Sequence, residues 1–405
     1  MENDGTLKMA TPRDTVEHMS KGKIFVGMSG GVDSSVSAAL LKKDGYDVVG
    51  VFIKVWQADF LPCTWRQERR EAMRAAAHIG IPFLTLDLEE EYKKNVVDDM
   101  IREYSEGRVP NPDVMCNKYV KFGGFLEFAK KHGADLIATG HYARVKGGST
   151  PFVSTSLGRC AHEDTRTRSS LVEIKNEDGM YHLYTGVDTK KDQSYFLWTL
   201  TQEQLAHTLF PIGGMTKPEV RIFAKKMKLP NAMKKDSQGL CFMGPVDMAE
   251  FLKHYITCTQ GEVLNEEGNT IGVHEGAMLY TIGQRHGFST EKATPSEEPY
   301  FVIKKDIQKN TITVAHQKPV INLPEQKNFT VKHLNDITGI LKEGHEGVVA
   351  QIRYRGTKHP VNIKKYDQNK SLMEIALLSP EQYIATGQSI VFYHKNECLG
   401  GGIIS

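Results

Sequence analysis

The sequence predicts an α/β fold in which a doubly wound parallel sheet is followed by a small mixed domain and a C-terminal β-barrel. Two observations lead to this fold class. Apolar strand patterns alternate with helix-spaced segments from residue 23 to about residue 244, which is typical of parallel sheets with helical crossovers. After residue 306, short strand patterns follow one another at regular spacing, as they do in all-β barrels and sandwiches.

The first half of the chain alternates between the two periodicities. KIFVGM is an apolar strand pattern that ends at a glycine-rich turn, VSAALLKKDG has helical spacing, and YDVVGVFIKVW is the next strand. The alternation continues in helix ERREAMRAAAHIG, strand IPFLTLDL, helices EYKKNVVDDMIREYSEG and KYVKFGGFLEFAKKHG, and strand ADLIATG. Helix and strand patterns resume in SYFLWTLTQEQLAHTLF and KPEVRIFAKKMKL. This order predicts a βαβ domain.

Composition divides the chain into domains. Residues 1–22 have neither periodicity and are expected to form a disordered leader on the α/β domain, which spans residues 23–244. Residues 146–180 are rich in Gly, Ser, Thr and Arg, so a mobile surface insertion is expected there. A central domain is expected over residues 245–305 and the barrel over residues 306–405.

Composition also excludes several function classes. The 51 Lys and Arg nearly balance the 49 Asp and Glu, so the net charge of +2 provides no global attraction to nucleic acid, and an RNA site has to be local. Six widely spaced cysteines without a CxxC pair argue against a disulfide framework or a zinc ribbon, and the histidines lack metal-ligand spacing. No apolar run reaches the ~20 residues of a membrane span, and the leader has no signal or transit character. A cytoplasmic protein is expected.

A loop rich in glycine and serine lies between the first strand and the first helix. It comprises Gly27, Met28, Ser29, Gly30, Gly31, Val32, Asp33 and Ser34, followed by Ser35. Backbone N–H groups at a strand-to-helix turn, together with the helix dipole, favour an anion such as phosphate. The loop lacks the GK[ST] ending of the Walker motif and the GxGxxG spacing of dinucleotide folds. A tight turn with a serine cap is the alternative, and Asp33 suits either a metal contact or a helix cap.

The string SGGVDSS resembles the PP-loop of the ATP pyrophosphatases, which have an adenine nucleotide alpha hydrolase-like fold. The resemblance implies ATP as a substrate, pyrophosphate as a leaving group and a requirement for Mg²⁺. Ile53, near the end of the second strand, and Gly140, at another strand end, are expected at the edge of the sheet where such folds bind ligands. Gly140 would let the nucleotide approach the backbone closely, although each residue alone would be ordinary core or turn.

Two cysteines lie in segments that favour a thiolate. In NPDVMCNK, Asn-Pro is a good helix start, so Cys116 is expected in the first turn, where the helix dipole would lower the pKa of the thiol. In KKDSQGLCFMG, glycines flank Cys241, and Lys234 and Lys235 lie upstream, which predicts a flexible loop with a stabilised thiolate. Each cysteine could instead be an ordinary packed or loop residue. The sequence assigns no role to Cys63, Cys160, Cys258 and Cys398.

Motifs along the chain resemble those of one enzyme family, the tRNA-specific 2-thiouridylases. In order, they are SGGVDSS, NPDVMCNK, ATGHYAR, KKDQSYFLWTL, DSQGLCFMG, TIGQRHG and ECLGGGII. The resemblance spans the chain from Lys23 to Ser405, except for the insertion between Arg144 and Tyr184. It implies ATP-dependent replacement of O2 of the wobble uridine by sulfur, in the tRNAs for Lys, Glu and Gln. A cysteine desulfurase or a sulfur-relay protein would be the persulfide donor.

The same resemblance implies roles for individual residues. Cys241 would accept a persulfide, Cys116 would be the partner nucleophile, and Asp113 would be the general acid or base beside the flipped uracil. Two routes stay open: the persulfide delivers its terminal sulfur directly, or Cys116 releases hydrosulfide and forms a transient disulfide with Cys241. The implied tRNA contacts are Asn111, Pro112, Asp113, His141, Lys191, Asp192, Gln193, Arg353, Tyr354 and Gln388.

Two other functions are compatible with the glycine loop. A PP-loop synthetase that forms an amide would need no cysteine. An RNA-binding adaptor with a vestigial nucleotide fold would need no ATP turnover. Persulfide-dependent thiolation of tRNA would distinguish a 2-thiouridylase from both alternatives.

Overall fold

A computed structural model describes residues 20–147, 179–236, 239, 241–244, 246–290, 298–316, 328–379 and 384–405. Residues 1–19 of the expected leader and residues 148–178 of the expected insertion lie outside the described residues, as does Cys160. Within those ranges the fold agrees with the predicted class, because a parallel sheet, a mixed sheet and a closed β-sheet follow one another along the chain.

The first domain contains a five-stranded parallel sheet in the order β3-β2-β1-β4-β7. Between β4 and β7, two strands leave this sheet and form the hairpin β5–β6. The strands of the domain are β1 (Lys23–Gly27), β2 (Asp47–Lys54), β3 (Phe83–Asp87), β4 (Leu136–Ala138), β5 (Ala143–Gly147), β6 (Tyr181–Thr185) and β7 (Thr208–Leu209).

Helices connect these strands and begin and end at the expected kinds of residue. The helix Lys217–Lys226 begins at a capping box formed by Thr216 and Glu219. The helix Trp65–Ile79 ends at Gly80, which has a left-handed backbone. The helices are α1 (Val32–Lys43), α2 (Trp65–Ile79), α3 (Glu89–Tyr92), α4 (Asp98–Ser105), α5 (Pro112–Met115), α6 (Phe125–Lys131), α7 (Gln202–Ala206), α8 (Lys217–Lys226) and, in the central domain, α9 (Met248–Lys253).

Two stretches that the sequence predicts as α-helix are partly π-helix. The first, π1 (Lys93–Val97), joins α3 to α4, and the second, π2 (Cys116–Gly124), joins α5 to α6. Short 3₁₀ helices lie at Ser194–Leu197 and Ala277–Leu279. π-Helices are rare and are often found at functional sites.

The parallel sheet is covered on both faces because side chains alternate along each strand. Ile24 and Val26 of β1 pack with apolar residues of α1 and α2 on one face. Phe25 packs on the other face, in a second core that includes Val120 of π2 and Phe125 of α6. This layering is the doubly wound arrangement that the alternating pattern predicts.

The central domain contains a mixed sheet in the order β10-β9-β8-β12-β11. Its strands are β8 (Gly261–Leu264), β9 (Thr270–His274), β10 (Phe288–Thr290), β11 (Phe301–Asp306) and β12 (Thr311–Ala315). Because β12 pairs with β8, the β11–β12 hairpin belongs to this sheet. The sequence-based boundary between residues 305 and 306 falls inside that hairpin, since a hairpin pattern does not reveal which sheet it joins.

The last six strands form a closed barrel. They follow the order β13-β16-β15-β14-β17-β18, and pairing between β13 and β18 closes the sheet. Their bounds are β13 (Asn328–Asp336), β14 (Val348–Gln351), β15 (Lys358–Asp367), β16 (Leu372–Leu377), β17 (Ser389–His394) and β18 (Glu397–Ile404). Inward residues such as Val331, Ile375 and Phe392 fill the interior. Closure leaves few exposed strand edges.

The barrel and the first domain share a sheet. Glu397 and Cys398 of β18 pair with Tyr184 and Leu183 of β6, so the β5–β6 hairpin extends the barrel wall. The expected insertion therefore lies between two paired strands. In the part of the chain that the structure covers, no helix is long and apolar enough to cross a bilayer.

Candidate active site

The glycine loop lies where β1 ends and α1 begins, as predicted. Gly30 has a positive φ of 77°, and a Cβ at this position would lie 2.6 Å from the carbonyl oxygen of Glu68, so only glycine fits. Serine hydroxyls brace the turn, since those of Ser34 and Ser35 donate to the carbonyl of Gly31 at 3.2 and 3.0 Å. Gly31 is the N-cap and has no side chain to satisfy the first N–H groups of α1. Those N–H groups can therefore receive phosphate oxygens.

The other two residues predicted to bind nucleotide lie at the same edge of the sheet. Ile53 is the penultimate residue of β2, and its side chain is buried in the core. Gly140 follows β4, and a Cβ on it would lie 2.8 Å from the amide nitrogen of Ser34 and 2.9 Å from the carbonyl carbon of Asp33. The close approach that this glycine permits is thus between two protein segments, which holds the glycine loop against β4.

Asp33 does not cap the helix. Its carboxylate accepts hydrogen bonds from the ammonium group of Lys217 at 2.7 and 2.8 Å and from the hydroxyl of Tyr142 at 2.9 Å. Mg²⁺ in nucleotide sites is commonly held by one or two carboxylates together with substrate phosphates. Asp33, a carboxylate beside a glycine loop with free helix N–H groups, fits that pattern. Within the described ranges there is no group of three or more His, Cys, Asp or Glu side chains that could hold a metal.

A charge network extends from the glycine loop to Asp236, upstream of Cys241. Lys217 contacts both Asp33 and Asp236, the latter at 2.8 Å. Arg221 and Lys191 each approach the Asp236 carboxylate to 2.6 Å. Burial raises the pKa of Asp236, but Lys191 and Lys217 outweigh that effect and hold it well below its usual value. Lys191, predicted to contact tRNA, is therefore part of this network.

Cys116 and Cys241, separated by 125 residues in sequence, lie side by side, with their Sγ atoms 3.4 Å apart. Cys116 is fully buried at the junction of α5 and π2. Cys241 is held by its backbone: its N–H donates to Oδ1 of Asp113 at 2.9 Å, and its carbonyl accepts from the hydroxyl of Tyr92 at 2.8 Å. The contact is short enough for sulfur to pass between the two residues.

The structure reverses the predicted effect on Cys116. Burial raises the pKa of the Cys116 thiol well above its usual value, and its hydrogen bond to Cys241 raises the pKa further. The hydrogen bond from Cys116 lowers the pKa of Cys241, and Lys121 lowers it too, against the effect of burial. The helix-dipole argument was wrong because desolvation dominates at a fully buried sulfur.

The cation next to the thiols is Lys121, which the sequence reasoning missed. Lys234, expected to stabilise a Cys241 thiolate, forms an ion pair with Glu71 instead. Burial lowers the pKa of Lys121, but the neighbouring Cys241, Cys116 and Asp113 raise it above its usual value overall. Lys121 follows Cys116 by five residues in the sequence. Residues five apart lie on the same side of a π-helix but not of an α-helix, so this spacing became informative only once the structure showed π2.

Asp113 lies at the same place as the thiols. Burial raises the pKa of this carboxyl group, whereas the bond from the Cys241 backbone and the charge of Lys121 lower it. The net shift of the Asp113 pKa is upward, which favours the protonated carboxyl group. The preceding residues, Asn111 and Pro112, are the N-cap and first residue of α5, with the Asn111 side chain accepting from the N–H of Val114.

Several of the predicted tRNA contacts meet around one aromatic residue. The Tyr195 hydroxyl lies close to the Asn111 side chain and 3.0 and 2.9 Å from the carbonyl oxygens of Ile352 and Ser389, which share its single proton as acceptors. These carbonyls directly precede Arg353 and directly follow Gln388, both half-buried. The ring of Tyr354 lies 4.5 Å from that of Phe196. The structure therefore brings the barrel residues next to the start of α5, and the intervening Tyr195 and Phe196 were not predicted.

The remaining predicted contacts have internal partners. His141 is buried, with Nδ1 2.7 Å from the hydroxyl of Thr139, and burial lowers its pKa well below its usual value. Asp192 accepts from the Ser194 hydroxyl at 2.9 Å, and Gln193 accepts from the N–H of Tyr142 at 3.0 Å. These side chains therefore organise the turn around the site, with His141 buried and Asp192 and Gln193 half-buried.

A cavity of about 630 Å³ opens between the start of α5 and the barrel. Its walls include Asn111, Lys118, Tyr119, Trp198, Lys332 and His333. Lys332 and His333 lie at an irregular point in the pairing of β13 with β18, and such bulges redirect side chains. Cations next to aromatic rings suit a single-stranded nucleic acid segment.

Three family profiles cover nearly all of the described chain. They are described as a tRNA methyl transferase HUP domain over residues 22–245, a tRNA methyl transferase PRC-barrel domain over residues 249–316, and an aminomethyltransferase beta-barrel domain over residues 326–404. A solved 4-thiouridine synthetase–RNA complex with bound ATP gives a TM-score of 0.29 at 17% identity, covering 57% of this chain and 50% of that chain. A score that low carries no argument.

Curated relatives match over almost their whole length. A protein of Enterococcus faecalis described as tRNA-specific 2-thiouridylase MnmA is 40% identical over 393 residues, covering 95% of this chain and 96% of the relative. A protein of Nitrosomonas europaea with the same description is 41% identical over 391 residues, covering 95% and 99%. With the paired thiols and the glycine loop already described, this similarity shows that the chain belongs to the tRNA-specific 2-thiouridylase family.

Proposed function

We propose that this protein catalyses ATP-dependent 2-thiolation of the wobble uridine of tRNA, by adenylation of uridine O2 and sulfur transfer from a cysteine persulfide. The observation that supports it best is the 3.4 Å contact between the Sγ atoms of Cys116 and Cys241, beside the Asp113 carboxyl group. A PP-loop synthetase that forms an amide would have no need for this pair.

ATP binds at the edge of the parallel sheet. The glycine loop and the first N–H groups of α1 receive the β- and γ-phosphates, while Gly140 keeps the loop in position. Mg²⁺ would be held by Asp33 and the phosphates, where its charge offsets that of the leaving pyrophosphate. Attack of uridine O2 on the α-phosphorus then gives the adenylate, which converts a poor leaving oxygen into AMP.

The uracil is turned out of the anticodon loop toward the thiols. Asn111, Pro112 and Asp113 at the start of α5 contact it, and base chemistry requires such extrusion. Arg353, Tyr354 and Gln388 bind the flanking RNA from the barrel, and Lys191, Asp192, Gln193 and His141 organise the other side. Asp113 exchanges protons with the reacting uracil, since burial raises its pKa and favours the protonated carboxyl group.

Sulfur enters through Cys241. Its thiolate takes the terminal sulfur of a donor persulfide, supplied by a cysteine desulfurase or a sulfur-relay protein. Either the terminal sulfur of this persulfide attacks uracil C2 and expels AMP, after which Cys116 attacks the Cys241 sulfur and breaks its bond to the transferred sulfur, or Cys116 attacks the persulfide first and frees hydrosulfide, which then attacks C2 and expels AMP. Each route leaves a transient disulfide between Cys116 and Cys241, which an external thiol reductant returns to the two thiols. Both routes begin from the same contact between the two sulfurs. The substrates are the wobble-uridine tRNAs for Lys, Glu and Gln, and the reaction takes place in the cytoplasm.

The test is a reconstituted thiolation. The protein is incubated with ATP, Mg²⁺, a persulfide source and unmodified tRNA, and 2-thiouridine is detected by mass spectrometry or a sulfur-sensitive gel shift. We expect thiolated tRNA with the native protein. Cys116→Ser and Cys241→Ser should each abolish persulfide-dependent thiolation while ATP binding is unchanged, because both thiols lie outside the glycine loop.

Three outcomes would contradict the proposal. One is a folded, ATP-binding protein that forms no thiolated product. Another is full turnover by the double serine variant, which would remove the two-thiol mechanism. The third is a methylated tRNA product with a methyl donor in place of persulfide, as the wording of the matched profiles would suggest.

A further inference from the structure

Lys121 lies at the centre of the sulfur site. Cys241, Cys116, Asp113 and His141 are all close enough to feel its charge. Its Nζ also lies 5.6 Å from the ring centre of Phe242, the residue after Cys241. The residue as a whole is half-buried, while burial of its ammonium group is large enough to oppose the effect of its acidic neighbours on its pKa.

The π-helix is what brings Lys121 to this position. In an α-helix, five residues advance by about 500°, so Lys121 would point about 140° away from Cys116. In π2 the N–H of each residue pairs with the carbonyl five residues earlier, which puts Cys116 and Lys121 on the same side. The unusual helix therefore aligns the buried thiol and the cation along one face.

We propose that Lys121 is a positioning residue for sulfur transfer, whose ammonium group, together with the hydrogen bond donated by Cys116, holds Cys241 as the thiolate that accepts sulfur. The role of the thiolate in sulfur transfer rests on the proposed function. The thiolate itself can be measured without ATP or tRNA. Other ionisable groups facing the pair are Asp113, which opposes the thiolate, and Tyr92, which binds the Cys241 carbonyl.

The order of reaction follows from this arrangement. The Cys241 thiolate attacks the terminal sulfur of a donor persulfide; a new S–S bond forms at Cys241, the donor S–S bond breaks, and the electron pair leaves with the donor thiolate. The terminal sulfur keeps its proton or gives it to the departing thiolate. No net oxidation occurs, so no further reagent is needed. Cys116, which donates the hydrogen bond to Cys241, does not compete as the acceptor.

The experiment is alkylation of the reduced protein with iodoacetamide across a pH series, with the rate at each cysteine read from peptides by mass spectrometry. We expect Cys241 to react before Cys116 at pH 7. Lys121→Met should slow Cys241 at pH 7 by about tenfold or more and move its pH profile upward, since loss of a nearby opposite charge destabilises the thiolate. Lys121→Arg keeps the charge and should restore most of the rate.

Two references make the comparison specific. Lys118→Met, on the same π-helix but with an exposed side chain next to Tyr119, should leave the Cys241 profile unchanged. Exposed Cys63 should react equally in every variant. Overlapping Cys241 profiles for Lys121→Met and the native protein would overturn the proposal, as would an equal shift in Lys118→Met.

The assignment of the thiolate to Cys241 can be tested on the native protein even if Lys121→Met does not fold. Faster alkylation of Cys116 than of Cys241 at pH 7 would refute the assignment without any variant. A thiolate at Cys241 in a protein that fails to thiolate tRNA would leave this inference standing and remove the proposed function. The two ideas therefore fail separately.

Discussion

Gly140 illustrates how a missing side chain at one residue positions a whole loop. A Cβ there would lie 2.8 Å from the Ser34 nitrogen and 2.9 Å from the Asp33 carbonyl carbon, and backbone atoms cannot move aside as a flexible side chain can. Gly27, in the same region, differs because the nearest atom to its Cβ would be a ring carbon of Phe125 at 3.5 Å, an ordinary contact. Gly27 can therefore accept an added methyl group more readily than Gly140 can.

Gly140→Ala should lower the free energy of unfolding by about 1–3 kcal/mol, the usual range for overpacking, and weaken ATP binding because the glycine loop is displaced. Urea denaturation and calorimetric titration with ATP measure the two effects. Gly27→Ala is the matched control for stability and should cost less. Equal stability of the two variants would contradict the steric argument.

Cys116 and Cys241 show which properties of single residues could not be predicted from the sequence. NPDVMCNK and DSQGLCFMG indicated which cysteines to examine, but local rules gave the wrong direction for the pKa of Cys116. They also pointed to Lys234, whose partner is Glu71. Desolvation and ion pairing depend on residues far apart in sequence, such as Cys116 and Cys241, so neither could be read from a window around one residue.

At the scale of one element, the contacts of helix α8 also depend on residues that are far apart in sequence. Its sequence KPEVRIFAKKMKL predicts a helix but not its partners, and Lys217 and Arg221 on its first turns bind carboxylates from two other segments. Asp33 comes from the glycine loop and Asp236 from the segment before Cys241. The helix therefore joins the nucleotide site to the chain that leads into the sulfur site.

Lys217→Met should lower the free energy of unfolding at pH 7 by about 1–3 kcal/mol, the range for charge-assisted hydrogen bonds. The pKa of Asp236 is held below its usual value, so its contribution to stability is present above about pH 4 and is lost as the pH falls further. The variant should therefore lose less stability than the native protein between pH 7 and about pH 3, as measured by urea denaturation at several pH values.

Lys225→Met is the control for that comparison, because Lys225 is exposed in the last turn of the same helix. It should match the native protein at both ends of the pH range. Parallel acid sensitivity in Lys217→Met and the native protein would rule out the bridge as a stabilising contact.

The two π-helices are elements that the sequence could not specify. EYKKNVVDDMIREYSEG and KYVKFGGFLEFAKKHG have apolar spacing close to that of an α-helix, so both segments were predicted as helices and the helices are present. The change from an i+4 to an i+5 bonding pattern is set by packing between neighbouring elements, for which propensity has no signal.

At the scale of the whole molecule, the three-part architecture was predictable because the first and last parts have different periodicities and a mixed region separates them. Alternation of strands and helices gave the parallel sheet, and evenly spaced short strands gave the barrel. What the pattern could not give was the partner of each edge strand. The β11–β12 hairpin joined the central sheet and the β5–β6 hairpin joined the barrel, since edge pairing is decided by long-range contacts.

The position of the barrel next to α5 leads to a prediction about RNA. Arg353→Ala should weaken tRNA binding several-fold and reduce the slope of log affinity against log salt by about one, as expected for loss of one phosphate contact. ATP affinity should be unchanged, because the glycine loop is in the first domain. Filter binding at several salt concentrations measures the slope.

Lys370→Ala provides the control on the same barrel, since Lys370 is exposed in the turn between β15 and β16, 3.7 Å from Asp367. Its tRNA affinity and salt slope should equal those of the native protein. An Arg353→Ala protein with native tRNA affinity would count against an RNA contact on this face.

The shared strand β18 has a consequence for any attempt to divide the chain. Its first residues bond to β6 and its last residues to β13, so a cut between the domains would expose backbone groups on both fragments. Exposed edges of that kind favour aggregation when fragments are made alone. Co-expressed halves, by contrast, would carry the complementary β6 and β18 edges, so we expect the two pieces to pair and to elute together from a sizing column.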